Sequence, residues 1–208
     1  MSRPRADLPR RAPRRPAVPA LLLLATALAA GCSLFPEPKP ADLVYSVPQG
    51  TGPALSKGAH AKPLRLRSIT PAAHLDDGIS WRSGLQVGDL PGVRWSDRPD
   101  VVVERALLVQ LFSDGRLVRS EALTAPLLDV VLLSFEELLD EGGGVACVEL
   151  RARVLDESRT EVLSVAVESR QPIAAGDDHV AALARALGAG VDDACTRLAA
   201  EIVSAFGR

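Results

Sequence analysis

Three cysteines, three histidines and a few acidic pairs are the residues of this 208-residue chain whose chemistry could go beyond packing. A nucleophilic hydrolase needs a serine or cysteine at a sharp turn, with a histidine and a carboxylate behind it. No Gly-x-Ser-x-Gly elbow occurs. His60 and His74 fall in segments that read as loops. His179 stands beside Asp177 and Asp178 at a helix start, where a solvated first-turn residue is a simpler reading than a general base. The pairs Asp76–Asp77, Asp177–Asp178 and Asp192–Asp193 lack the alternating spacing of a calcium loop and read as turn and cap residues. The cysteines and scattered histidines make no metal-ligand spacing. Gln49-Gly50-Thr51-Gly52 lacks the lysine and helix of a phosphate loop. The expectation is a protein without catalytic residues, metal or cofactor.

Cys32 is different, because its surroundings predict modification. Ala17 to Gly31 reads Ala-Val-Pro-Ala, four leucines, then Ala-Thr-Ala-Leu-Ala-Ala-Gly, preceded by six arginines and Asp7. A basic start, an apolar run too short to span about 30 Å of hydrocarbon, and small residues before a break make a secretory signal peptide. Ala29-Ala30-Gly31-Cys32 resembles a bacterial lipobox, with Leu28 one position further out than usual. In that motif the cysteine thiol takes a diacylglyceryl group, cleavage falls between Gly31 and Cys32, and the new amino terminus is acylated. Two or three acyl chains, at about 0.8 kcal/mol per buried CH₂, hold a protein on a bilayer durably. An ordinary signal peptide with a chance cysteine is the bland alternative. By resemblance to other lipoproteins, Ser33 in place of aspartate implies the outer membrane, facing the periplasm.

Removal of residues 1–31 leaves 18 basic and 25 acidic residues, a net charge of −7. A mildly acidic body argues against nucleic acid and against electrostatic adhesion to anionic lipid. The 177 remaining residues suffice for one domain. Residues 32–42 are the proline-rich tether and 43–208 the single globular domain. An exported compartment permits a disulfide between Cys147 and Cys195; two small buried hydrophobes are the alternative.

Hydrophobic periodicity supplies the elements that position these residues. Leu43–Val47 and Leu64–Ile69 alternate as strands, and Asp76-Asp77-Gly78 is a turn before Ile79–Arg82. Ser96 or Asp97 can cap a helix that Pro99 begins and that runs to Phe112. Most of its circumference is apolar, so it should be largely buried. Leu117-Val118 reads as a short strand, and Leu127–Phe135 as a strand buried on both faces. Val145–Leu155 alternates, with Ala146, Val148, Leu150, Ala152 and Val154 to one side and Glu149, Arg151 and Arg153 to a solvated other. Asp156–Arg159 turns it into a partner strand, Glu161–Arg170. Val180, Leu183, Leu187, Val191, Leu198 and Ile202 then mark a long helix. Gly188 and Gly190 within it predict a kink or a close packing contact. Trp81 and Trp95 flank the first helix; core packing is the simpler reading, and an exposed one would be a docking anchor.

Four stretches together resemble the ABC-type transport auxiliary lipoprotein family, which includes the paraquat-inducible protein C type. They are Leu43–Val47 with Tyr45; Ile79-Ser80-Trp81-Arg82 with Arg94-Trp95 and Pro99; Leu128 to Phe135-Glu136 with the strand ending Ala152–Asp156; and Ala181–Leu187. Trp81 stands where tyrosine is commoner, and the tryptophan often seen near the end of the last helix is absent. The resemblance implies an α/β three-layer sandwich, with a mixed β-sheet, a buried central helix and a long C-terminal helix. It also implies a non-enzymatic partner of a lipid-transport system linking the membranes, built from an MCE-domain protein and an ABC permease and ATPase. The alternative is a periplasmic lipid-binding carrier or chaperone lipoprotein with its own apolar pocket.

Overall fold

The apolar run that begins at Leu127 does form the centre of a sheet, but it is not buried on both faces as expected: Leu128, Val130 and Leu132 are buried, whereas Asp129, Val131 and Leu133 on the other face are half-buried. The structure, a computed structural model, describes residues 40–49, 60–140, 143–176 and 178–206. Gly31 and Cys32 therefore lie outside the described residues, as do Gly50–Gly52. Among the described residues nine strands form one mixed sheet: β1 Leu43–Tyr45, β2 Lys62–Leu66, β3 Thr70–Pro71, β4 Gly78–Ser83, β5 Gln86–Trp95, β6 Leu117–Arg119, β7 Leu127–Asp140, β8 Gly143–Leu155 and β9 Glu161–Pro172. Among the described residues the two helices are α1, Pro99–Phe112, and α2, His179–Phe206. The chain has the mixed α/β class expected, with its central helix and its long C-terminal helix, and the sheet is not closed.

Along one edge of β7 lie β2, β3 and β4 in succession, all parallel to it, at Leu127–Leu128, Val131–Leu132 and Glu137–Leu138. Its other edge is taken by β8, antiparallel from Leu127↔Leu155 to Asp140↔Gly143. β9 continues from β8; β5 and then β1 continue from β4, and β6 from β2. β7 thus runs five residues past Phe135, where Glu136 and Glu137 interrupt the apolar pattern.

The alternation read in β8 holds on its inner face, where Ala146, Val148, Leu150, Ala152 and Val154 are all buried; on the other face Arg151 and Arg153 are exposed, but Glu149 is half-buried and Cys147 is buried. The buried set joins Ile79, Leu107, Leu111, Phe135, Leu183, Leu187 and Leu198 in one continuous cluster between sheet and helices. At about 25 cal/mol per Å² of apolar surface, this cluster is the main stabilising term of the fold.

Val101, Val102 and Val103 are poor helix formers, so α1 depends on burial of Val102, Val103, Leu107, Leu111 and Phe112. Its start departs from expectation. The N-cap is Arg98, in extended conformation and without a side-chain cap bond. Asp97 is instead held by the Arg105 guanidinium at 3.1 and 3.3 Å, and Pro99 supplies a preset φ in place of a cap. The start of α2 follows the rule: Asp178 Oδ1 accepts the Ala181 N–H at 2.9 Å. Gly188 and Gly190 mark close approaches. A Cβ at 188 would stand 2.6 Å from the Pro48 carbonyl oxygen, and one at 190 would stand 3.1 Å from Val148 Cγ2.

Candidate functional site

β7 carries two adjacent buried carboxylates, and strand alternation sends them to opposite faces of the sheet. Glu137 pairs across to Ala146 on the helix side. Its Oε2 lies 2.9 Å from His179 Nε2; the carboxylate can only accept, so the ring donates and ties the start of α2 to the end of β7. Glu136 points to the outer face with a side chain only 2% exposed. Its Oε1 accepts from Arg82 Nε at 2.7 Å and from the Ser134 hydroxyl at 2.8 Å. Oε2 has no hydrogen-bond partner, and His74 Nε2 stands 3.5 Å away.

Serine, histidine and carboxylate do meet here, but in the wrong order for acyl transfer. Ser134 and His74 both face the Glu136 carboxylate, so the imidazole is not placed between hydroxyl and acid to take a proton. His179 is engaged with Glu137 at a helix start, close to the first-turn reading. Among the described residues, no group of three or more His, Cys, Asp or Glu could hold a metal ion.

Cys147 and Cys195 are free and buried, so the disulfide permitted by the sequence is not formed. The sheet separates them. Cys147 faces outward from β8, its Sγ 3.8 Å from Glu168 Oε1, while Cys195 lies in α2 against the Val103 carbonyl oxygen at 3.9 Å. Burial pushes the Cys147 thiol up, against a hydrogen bond from Ser134 and with Glu168 adding to the rise. Cys195 is pushed up to about 12, chiefly by burial. Thiols held protonated are poor nucleophiles and poor ligands.

Of the two tryptophans, Trp95 is core: its ring meets Phe135 edge-on at 5.8 Å and 83°. Its backbone is pinned too, since the Trp95 N–H donates to the Asp77 carbonyl at 2.7 Å. Trp81 is half-buried, and its indole lies over Gly88, where a Cβ would come within 2.8 Å of the ring. Trp81 therefore keeps the role of a possible anchor and Trp95 loses it.

The outer face of β7, β8 and β9 is open and polar. Near Glu136 it carries Arg82, Glu149, Glu168 and Arg170, with Arg170 ion-paired to Glu168. Further along, Arg67 and Arg153 both bind the Asp129 carboxylate, at 3.2 and 2.9 Å. Beside Asp129 a depression of about 400 Å³ is lined by Val131, Arg151, Arg153, Glu161 and Ser164. Such a surface can bind a partner.

The Glu136–Glu137 pair was not legible in the sequence. Adjacent glutamates ending an apolar run read as a strand entering solvent, and only the position of Arg82 and His179 in the fold explains their burial. The one available signal was that Phe135-Glu136 belongs to a stretch carrying the family resemblance.

No protein-family model matches the chain, and no curated protein matches it. Among solved structures, protein XCC0632 from Xanthomonas campestris, of the DUF330 family, superposes with a TM-score of 0.66 at 18% identity, over 78% of this chain and 95% of its own. An uncharacterized protein superposes at 0.58 and 15% identity, over 78% and 99%. A minor lipoprotein from Acinetobacter baumannii aligns more loosely, at 0.47 and 11% identity over 69% and 93%. At these identities the likeness is one of fold. Among the described residues no helix is long and apolar enough to cross a membrane.

Proposed function

We propose that this chain is a non-enzymatic outer-membrane lipoprotein, held by acyl chains on Cys32, and the auxiliary component of an MCE-type ABC lipid-transport system. One observation carries the reading. The four stretches that resemble the family, spread from Leu43 to Leu187, come together in space. Tyr45 pairs with Trp95, and the Ser96 N–H donates to the Tyr45 carbonyl at 2.7 Å. Trp95 packs on Phe135, Arg82 bonds Glu136, and Leu183 and Leu187 lie in the same core. Matches arising by chance would have no reason to converge, so their contiguity supports a shared framework and, through it, the shared role.

The outer face favours binding over chemistry, for the reasons given above. A carrier would need an unfilled interval between sheet and helices. The continuous cluster of buried side chains in that interval supports surface binding instead. The test is purification of the tagged protein from envelopes in mild detergent. Co-recovery of an MCE-domain protein or an ABC-transporter subunit is expected, and repeated recovery without either would overturn the assignment.

A further inference from the structure

The sheet is open, and its ends are unequal. β1 and β6 stop after three residues each, which leaves little edge to pair. β9 runs for twelve residues, Glu161 to Pro172, with β8 as its one neighbouring strand. Among the described residues, no backbone hydrogen bond leaves β9 for anything but β8. A side chain does meet the edge: Arg197 of α2 donates from Nη1 to the Glu168 carbonyl oxygen at 2.8 Å. That carbonyl is turned away from β8, and the backbone groups of alternate residues in a strand point to alternate edges. Ser164 and Ala166 therefore present their N–H and C=O to the open edge, as Glu168 does.

This edge carries no charge over its middle. From Val162 to Val167 it reads Val-Leu-Ser-Val-Ala-Val, a run rich in strand-forming residues. Long edges of that kind are normally blunted by lysine, proline, a bulge or a covering element. Here the blunting lies to either side. A shift in register marks the start of β9, where Leu163 and Glu161 pair with successive residues of β8; Arg197 and Pro172 guard the other end. Leu163 to Val167 stays open between them. On its inner face Val167 is buried, but Leu163 and Val165 are only partly buried against the core.

We infer that this stretch pairs with the same stretch of a second copy of the chain, antiparallel about a two-fold axis at Val165, so that two sheets become one. Leu163 then stands opposite Val167 of the second copy, Ser164 opposite Ala166, and Val165 opposite itself. The chemistry of the edge selects a copy as the partner. The outward groups of Ser164 and Ala166 meet those of Ala166 and Ser164, and each pair exchanges both of its hydrogen bonds. The half-covered Leu163 and Val165 gain aliphatic cross-strand neighbours. No like charges are opposed: Glu161 faces Ser169 and Glu168 faces Val162, while the Arg197 bond to Glu168 stays in place. A two-fold contact requires this self-complementarity. The inference goes beyond the function proposed above and does not depend on acylation of Cys32 or on a transport partner.

The experiment uses the full chain, produced with its signal peptide, purified in mild detergent and gently oxidised. Across the axis, the two Val165 Cα atoms form a non-hydrogen-bonded pair about 4.5 Å apart, within reach of a disulfide. The two Ser164 Cα atoms lie on a diagonal of about 7–8 Å, outside that reach. Val165→Cys should therefore link two copies, and Ser164→Cys should not, although Ser164 is the more exposed. The parent chain, with its native cysteines, sets the background. Light scattering of the unoxidised parent in the same detergent supplies a reading that needs no variant, and a dimer that dissociates on dilution is expected. No link at 165, equal links at 164 and 165, or a parent that is monomeric at every concentration overturns the pairing.

Discussion

Glu136 shows how a single side chain can set the character of a surface. A carboxylate this deeply buried persists because Arg82 and Ser134 satisfy one oxygen, and removing a partner leaves an uncompensated charge. Arg82→Ala should destabilise the domain by about 2–3 kcal/mol in urea unfolding, at the low end of the usual range because the arginine is itself a third exposed. Arg82→Met combined with Glu136→Leu should recover most of that loss, since no charge is then buried. A double variant as unstable as the single one would mean that packing, not charge, was lost. Cys195 offers a second measurement. Its thiol is held near 12, whereas an unfolded cysteine ionises near 8.5. Above that lower value the unfolded chain releases a proton that the folded chain keeps, so stability falls as pH rises, by up to about 1.4 kcal/mol per pH unit from this group. Cys147 adds a loss of the same sign. Urea midpoints taken across the alkaline range should therefore decline less steeply in Cys195→Ala than in the parent; equal slopes would rule out a cysteine origin.

Elements with a strong period announced themselves, and those built by their neighbours did not. β8 displays its two faces in its own residue order, and α2 its stripe and its cap. β5 does not: Gly88, Pro91 and Gly92 break any alternation, and the strand exists because β4 pairs along one edge and β1 along the other. β7 was read to Phe135 and continues to Asp140, because groups elsewhere in the chain hydrogen-bond its glutamates. The glycines of α2 were legible as a packing contact, but the neighbour was not, since Pro48 comes from far away in sequence. Gly188→Ala sets a methyl against a backbone oxygen that cannot rotate aside. The overpacking, about 1–3 kcal/mol, should outweigh the helix-propensity gain of about 1 kcal/mol and leave a net loss. Gly190→Ala meets only the end of a valine side chain and should stay within about 1 kcal/mol of the parent. Chemical denaturation of the two variants side by side checks the contrast, and equal stabilities would show that the Pro48 segment yields.

For the molecule as a whole, the signal segment and the polar outer face point to attachment and binding. Cys32→Ala should abolish incorporation of labelled fatty acid and release the protein from membranes, assayed by envelope fractionation; unchanged retention would remove the anchor from the account. The mixed α/β class was readable from the order of periodic segments. The half-burial of Trp81 over Gly88 and the separation of Cys147 from Cys195 were not, because both depend on which strand lies beside which.

The three-residue pairing of β1 with β5 has a mechanical side. If the protein is anchored through the chain before β1 and gripped elsewhere by a partner, a pull directed along β1 is carried by its pairing with β5. In that geometry its hydrogen bonds resist in shear, all loaded at once, where a strand pulled sideways would peel open one bond at a time. The ladder is short, however, so it is the part that yields first. Rupture there would free Tyr45 from Trp95 and lengthen the leash before the core felt the load, as a fuse protects a circuit.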